Sequence, residues 1–157
     1  ADFVLRALGE CAEPPTSWSA WLAQLDQKIA ASPTCGLAAV AVFEIQDDGV
    51  VFGASVGDCE VRTFEGIGSR NLTSRQNRKP LLGSGSATPV TFAARLENGV
   101  LVAGSDGLWK YANPSSIREA AMLPSPEAAA EALVEGVKLR SGKIQDDVAV
   151  LVCIRHP

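Results

Sequence analysis

The chain has 157 residues, of which 46% are hydrophobic and 20% are charged, and its formal net charge at pH 7 is −4. This is the size and composition of one globular domain, and it excludes a disordered or fibrous chain. The acidic balance also argues against nucleic acid as the main partner, because phosphate backbones are bound by basic surfaces.

The first 30 residues predict two helices. Residues 1–12, "ADFVLRALGECA", place apolar side chains at helical spacing, and the prolines of "EPPTS" end this helix. Thr16 or Ser17 can cap a second helix. Its apolar residues form one stripe, which is typical of core packing although its two tryptophans could also bind a partner. The stripe consists of Trp18, Trp21, Leu22, Leu25 and Ile29.

The middle of the chain predicts antiparallel strands. "LAAVAVFEI" and "VVFGASV" are apolar and rich in β-branched residues, and the "QDDG" turn between them predicts a β-hairpin over residues 37–56. "PVTFAARL" and "VLVAGS" follow as strands joined by an "ENG" turn. Residues 65–90 have loop character and predict one long surface excursion.

The last part of the chain predicts two helices, "PSSIREAAM" and "PEAAAEALVEGVKLR", and a final strand, "VAVLVCI". Pro126 suits a first helical turn, and Gly142 suits a stop after the second helix. Strands that cluster between helices and are joined by short turns predict an α+β fold with antiparallel sheet. We expect a single domain over residues 1–157.

Cysteine and histidine indicate no catalytic pair. The four cysteines, at positions 11, 35, 59 and 153, form no C-x-x-C motif, so we expect reduced thiols and a cytoplasmic protein. The single histidine, His156, is next to the last residue, which makes a Ser–His or Cys–His pair improbable. No apolar run is long enough to span a bilayer and no signal-peptide pattern is visible, so we expect no membrane partner.

Three aspartates stand beside small residues at the ends of predicted strands. They are Asp58 in "ASVGDCE", Asp106 in "VAGSDGLW" and Asp146 in "IQDDVAVLVCI". Carboxylates at adjacent strand ends can converge, and convergent carboxylates repel one another unless a cation lies among them. Magnesium and manganese prefer such oxygen ligands. Each motif alone is weak, since Asp-Gly is common in turns, and we interpret Asp47–Asp48 as a plain hairpin turn.

Four segments resemble motifs of the metal-dependent protein phosphatases, the type 2C serine/threonine phosphatases, and they occur along the chain in the family's order. "SVGDCEVRTF" resembles V-G-D-S-R, "VAGSDGLWKYANPSSI" resembles S-D-G-L-W-D, and "QDDVAVLVCI" resembles D-N-x-T-V-x-V. "TCGLAAVAVF" is similar, more loosely, to S-G-T-T-A-x-V. The resemblance covers residues 34–154. It implies an antiparallel β-sheet sandwich flanked by helices, with this chain forming the C-terminal two-thirds of the family domain.

The resemblance also implies a reaction and its residues. Asp106 and Asp146 match the catalytic, metal-binding aspartates, and Asp58 matches an aspartate that helps to hold a third, weaker metal. The implied two-metal centre takes Mn²⁺ or Mg²⁺, and a metal-activated water hydrolyses phosphoserine or phosphothreonine. The implied partner is a phosphoprotein substrate in signalling, which the phosphatase dephosphorylates in opposition to a serine/threonine kinase.

The largest departure from the family is the absence of its N-terminal D-G-H-G-G motif, which carries the first metal-binding aspartate. We therefore expect a truncated phosphatase without its N-terminal strands, which binds metal weakly and is slow or inactive. Smaller departures are Cys59 and Glu60 in place of serine and arginine, Lys110 in place of aspartate, and Ala149 in place of threonine.

Two other interpretations stay open. The chain could be a catalytically inactive, pseudophosphatase-like module that regulates a partner or binds a phosphoprotein. It could also be an unrelated α+β domain with ordinary turn aspartates, in which case Asp106 and Asp146 should lie far apart. The basic residues Arg75, Arg78 and Lys79 could guide a phosphorylated substrate by their charge, or they could belong to a solvated loop.

Overall fold

The computed structural model describes residues 2–10 and 15–155. The helices are α1 (Asp2–Gly9), α2 (Trp18–Ala30), α3 (Asp106–Tyr111), α4 (Pro114–Ala121) and α5 (Pro126–Glu135). The strands are β1 (Val40–Ile45), β2 (Val50–Val56), β3 (Glu60–Glu65), β4 (Gly68–Asn71), β5 (Val90–Arg95), β6 (Gly99–Gly104) and β7 (Val150–Arg155). None of the helices in the described part of the chain is long and apolar enough to cross a bilayer.

The described strands form two antiparallel sheets that lie between two layers of helices. The first sheet has the strand order β1-β2-β5, and the second has the order β4-β3-β6-β7. Side chains alternate along β6: Leu101 belongs to the core between the sheets, whereas Val100 and Val102 belong to the core shared with α3, α4 and α5. The predicted antiparallel sandwich flanked by helices is confirmed.

Helix α2 follows the prediction closely. Ser17 is its N-cap, and the serine side chain accepts a hydrogen bond from the backbone N–H of Ala20 at 3.3 Å. Four residues of the predicted stripe are buried against the first sheet and Trp21 is partly buried, so the stripe is core. The predicted continuation of α1 through Cys11 lies outside the described residues, as does His156.

The hairpin predicted over residues 37–56 is formed by β1 and β2, which pair in antiparallel register from Val40 with Val56 to Ile45 with Val51. The Asp48 carboxylate accepts a hydrogen bond from the backbone N–H of Val50 at 3.0 Å. This local contact confirms that the acidic pair at positions 47 and 48 belongs to a turn.

The prediction for residues 65–90 is wrong in part, because this segment is not only a surface excursion. Strand β4 pairs with β3, and further along Leu82 is fully buried and forms an antiparallel bridge with Ala38. The buried carboxylate of Asp26, on α2, accepts hydrogen bonds from three backbone N–H groups of the same segment. These N–H groups belong to Gly83, Gly85 and Ala87. Backbone hydrogen bonds, which leave no apolar pattern, attach the segment to the rest of the fold.

The C-terminal helices begin where predicted, since Pro114 and Pro126 occupy the first turns of α4 and α5. Helix α5 ends earlier than predicted, at Glu135, and Gly136 is its C-cap instead of the expected stop at Gly142. Helix α3 was not predicted, since its six residues are too few to show a helical repeat. Its existence places Asp106 at the start of a helix and not in a simple turn.

Candidate functional site

The three predicted aspartates flank the same end of the second sheet. In the antiparallel register of this sheet, the last residue of β6 pairs with the first residues of both β3 and β7. Asp58 comes two residues before β3, Asp106 comes two residues after β6, and Asp146 comes four residues before β7. The loops that carry the aspartates therefore leave the sheet at one edge.

Asp58 lies where the chain crosses from the first sheet to the second. Only residues 57–59 join β2 to β3, and Gly57 adopts a φ of 89° in this short connection. A Cβ at Gly57 would lie 2.8 Å from the Cβ of Ala39, so a side chain at this position would be strained and crowded. The crossing leaves Asp58 half-buried at the sheet edge.

Asp106 opens helix α3, which is held against the sheet by backbone and ring contacts. Gly107 is buried, and a Cβ at this position would overlap the carbonyl oxygen of Asp147. Trp109 donates a hydrogen bond from Nε1 to the carbonyl of Gly104 at 3.1 Å, and the guanidinium of Arg62 lies 4.3 Å from the centre of the indole ring. These contacts fix the direction in which α3 presents Asp106.

Asp58 and Asp106 line one open cleft with a volume of about 410 Å³. Its wall is an ordered polar network: Glu60 accepts hydrogen bonds from Arg62 at 2.6 Å and from Asn71 at 2.7 Å. The cleft residues are Gly57, Asp58, Cys59, Glu60, Asn71, Thr73, Ser74, Gln76, Arg78, Asp106, Trp109 and Lys110. The structure thus brings two of the three predicted aspartates together.

Asp146 does not line this cleft, although its segment lies next to that of Asp106. The side chain of Asp146 is exposed, and its Oδ1 accepts a hydrogen bond from the backbone N–H of Asp147 at 2.9 Å. The pKa of Lys110 is raised, first by the Tyr111 side chain and to a smaller extent by the carboxylates of Asp146 and Asp106. Both carboxylates therefore lie near the same ammonium group.

The donors in the cleft fit a hard divalent cation that keeps most of its water. Mg²⁺ commonly takes only one or two carboxylates from a protein and completes its coordination with water. Asp58 and Asp106 supply two such carboxylates in a polar, open cleft. Within residues 2–10 and 15–155, no group of three or more His, Cys, Asp and Glu side chains is arranged to hold a metal ion. The arrangement therefore suits a water-rich site and not a protein cage.

Cys59 lines the same cleft near these carboxylates, and its environment makes it a poor nucleophile. Burial raises the pKa of the Cys59 thiol to about 11, and the negative charges of Asp58 and Asp106 add to this effect. The thiol is therefore protonated at neutral pH, and the thiolate is the form that attacks electrophiles. The arrangement favours chemistry in which the carboxylates act and the thiol does not.

Sequence reasoning missed the contribution of the end of β4 and the segment that follows it. Asn71, Thr73, Ser74 and Gln76 line the cleft, and Ser55 of β2 donates a hydrogen bond to Gln76 at 3.1 Å. Of the three basic residues noted in this segment, only Arg78 lines the cleft. The polar composition of the segment indicated a loop, and nothing in it indicated which residues turn toward the aspartates.

No model of a protein family matches the chain, and no curated protein matches it. Several solved structures do match the chain. The chain is similar to the Mycobacterium tuberculosis serine/threonine phosphatase PstP/Ppp, with a TM-score of 0.78 and 18% identity over 99% of this chain and 81% of that one. The catalytic domain of PstP in complex with two manganese ions matches with a TM-score of 0.77 and 18% identity over 96% and 78%.

A third similar structure is PppA, a key regulatory component of T6SS in Pseudomonas aeruginosa. It has a TM-score of 0.76 and 16% identity over 98% of this chain and 78% of that one. At such identities the likeness concerns the fold. The resemblance to metal-dependent serine/threonine phosphatases, which was drawn from the motifs, is confirmed as a likeness of fold.

Proposed function

We propose that this chain is a metal-dependent protein phosphatase that hydrolyses phosphoserine or phosphothreonine in phosphoproteins. The observation that supports this most directly is the shared cleft of Asp58 and Asp106, at one sheet edge of a fold that serine/threonine phosphatases also have. PstP, which has this fold, is known in complex with two manganese ions. We further propose a cytoplasmic signalling role in opposition to a serine/threonine kinase.

In this proposal Asp58 and Asp106 hold Mn²⁺ or Mg²⁺, and Asp146 adds a carboxylate from the neighbouring segment, outside the cleft. When bound, the cation supplies positive charge to the phosphate oxygens and lowers the pKa of a water that can attack phosphorus. Arg78 has no carboxylate partner within the described residues and lines the cleft, so its guanidinium is available to bind the phosphate of the substrate.

We expect slow turnover. Of the three carboxylates that line the cleft, Glu60 is already paired with Arg62, and the ammonium group of Lys110 lies near Asp106. An ammonium near a carboxylate competes with a metal cation for the same negative charge. Weak cation binding would therefore limit the fraction of the protein that is active.

Hydrolysis of a phosphothreonine peptide in the presence of Mn²⁺ tests the proposal. We expect metal-dependent phosphate release that Asp106→Ala reduces at least about 100-fold, because it removes a carboxylate that acts directly on the cation. Asp47→Asn is the matched control, since it removes an exposed carboxylate from the hairpin turn and should leave the rate unchanged. Phosphatase activity that survives Asp106→Ala contradicts the proposed site.

Calorimetric titration with Mn²⁺ separates the proposal from its main alternative. Heat that depends on Asp106, without peptide hydrolysis, would identify an inactive, phosphatase-like module that retains its cation site. A chain that shows neither Asp106-dependent heat nor hydrolysis refutes the proposed function.

A further inference from the structure

We propose that Ser105 is a positioning residue that joins the segment of Asp106 to the segment of Asp146, and thereby sets the affinity of the site for a divalent cation. The effect on affinity rests on the proposed function, whereas the coupling of the two segments can be tested without it. Ser105 lies between the end of β6 and the start of α3, directly before Asp106.

Three hydrogen bonds join Ser105 to the segment that follows Asp146. The Ser105 hydroxyl donates to the carbonyl of Asp147 at 3.0 Å, and the same oxygen accepts from the backbone N–H of Ala149 at 3.1 Å. The backbone N–H of Ser105 donates to the carbonyl of Ala149 at 3.0 Å. A hydroxyl group can donate and accept at once, which a methyl group cannot do.

Helix α3 also confines the same segment. The carbonyl oxygen of Asp147 accepts from Ser105 and lies so close to Gly107 that a Cβ there would overlap it. The carbonyl thus lies close to both the serine hydroxyl and the backbone of α3. The separation of Asp106 from Asp146 is therefore set by contacts close to the backbone.

The hydrogen bonds of Ser105 matter because the exposed segment around Asp146 has few other contacts. Residues 141–147 are all exposed, and Asp146 bonds only to the N–H of its own neighbour among the described contacts. Mutual repulsion between the carboxylates of Asp106 and Asp146 would move a free segment outward before a cation binds. Groups that orient metal ligands commonly contribute 10- to 100-fold to affinity or activity, in order of magnitude.

Three variants test the inference by calorimetric titration with Mn²⁺. Ser105→Ala should raise the Kd for Mn²⁺ by about 10- to 100-fold. Ser105→Thr should stay close to the wild-type protein, because it keeps the hydroxyl and because the extended backbone at this position, with φ −69° and ψ 166°, suits a β-branched residue. Ser115→Ala is the matched control: it removes a hydroxyl that bonds to Asn113 at 2.7 Å, away from the cleft.

Amide hydrogen exchange, measured without metal, tests the coupling directly. The Ala149 amide should exchange faster in Ser105→Ala than in the wild-type protein or Ser105→Thr. An unchanged exchange rate in Ser105→Ala overturns the inference, and so does wild-type Mn²⁺ affinity in this variant. If the wild-type protein shows no Asp106-dependent Mn²⁺ binding, the proposed cation site fails. The exchange rate of Ala149 then still decides whether Ser105 joins the two segments.

Discussion

Asp26→Asn should destabilise the fold by about 1–3 kcal/mol, even though it changes a single atom of a side chain far from any charged partner. The Asp26 side chain is fully buried on α2, and no ion pair involves it among the described residues. Its only described partners are backbone N–H groups of residues 83–87. The substitution therefore tests how the segment after β4 is attached.

The magnitude follows from the two carboxylate oxygens. Oδ1 accepts from Gly83 at 2.6 Å and from Gly85 at 3.2 Å, whereas Oδ2 accepts from Ala87 at 3.0 Å. Asparagine keeps one acceptor oxygen and places an amino group where the other stood, so one N–H faces a donor and loses its bond. A buried donor left without an acceptor costs about 1–3 kcal/mol. Asp26→Ala loses all three bonds and should cost about 4 kcal/mol or more.

Urea unfolding, followed by tryptophan fluorescence, measures these differences. Asp47→Asn serves as the control, because it also exchanges a carboxylate for an amide but does so at an exposed turn. Amide exchange at Gly83, Gly85 and Ala87 should rise selectively in Asp26→Asn. An unfolding free energy within about 0.5 kcal/mol of the wild-type value would refute the reasoning, since that is the range of ordinary surface substitutions.

Three further predictions concern the cleft and helix α3 beside it. Gly107→Ala should lower the unfolding free energy by about 1–3 kcal/mol, because its Cβ would overlap the Asp147 carbonyl; an unchanged urea midpoint would contradict this. With a pKa of about 11, Cys59 should react with iodoacetamide at pH 8 about 10-fold more slowly than a thiol of pKa 9, because its smaller thiolate fraction outweighs its greater nucleophilicity, and its rate, followed by mass spectrometry, should still rise above pH 9. In peptide hydrolysis, Arg78→Ala should raise KM more than it lowers kcat, whereas Arg75→Ala, outside the cleft, should change neither.

The helices and strands that the sequence predicted well are those with a long apolar repeat. Helix α2 combines a serine cap with an apolar stripe over three turns, and both signals depend on side chains near in sequence. Asp26 interrupts that stripe, and nothing local explains a carboxylate at a core position. Its partners are 57 to 61 residues away, so they become visible only when the chain has folded.

The candidate site was also predicted only in part: the sequence indicated its location but not the side chains that line it. Strand ends beside small residues predicted that Asp58, Asp106 and Asp146 would gather at one edge of a sheet, and the register of β3, β6 and β7 places all three loops there. Which side chains enter the cleft depends on local bonds that the motifs do not specify. Asp146 turns to the N–H of Asp147, so its carboxylate lies outside the cleft that Asp58 and Asp106 share.

The charges in the cleft explain why a cation and a phosphate group would suit it together. Glu60 is already paired with Arg62, which leaves Asp58 and Asp106 as the carboxylates without such a partner. A phosphate dianion near two carboxylates meets a repulsion of several kcal/mol at the effective dielectric constant of a protein surface. Arg78 can offset part of this repulsion, because it also lines the cleft, and a divalent cation would offset more of it. Under the proposed function, we therefore expect a phosphate group to bind more tightly when a divalent cation is present than when it is absent.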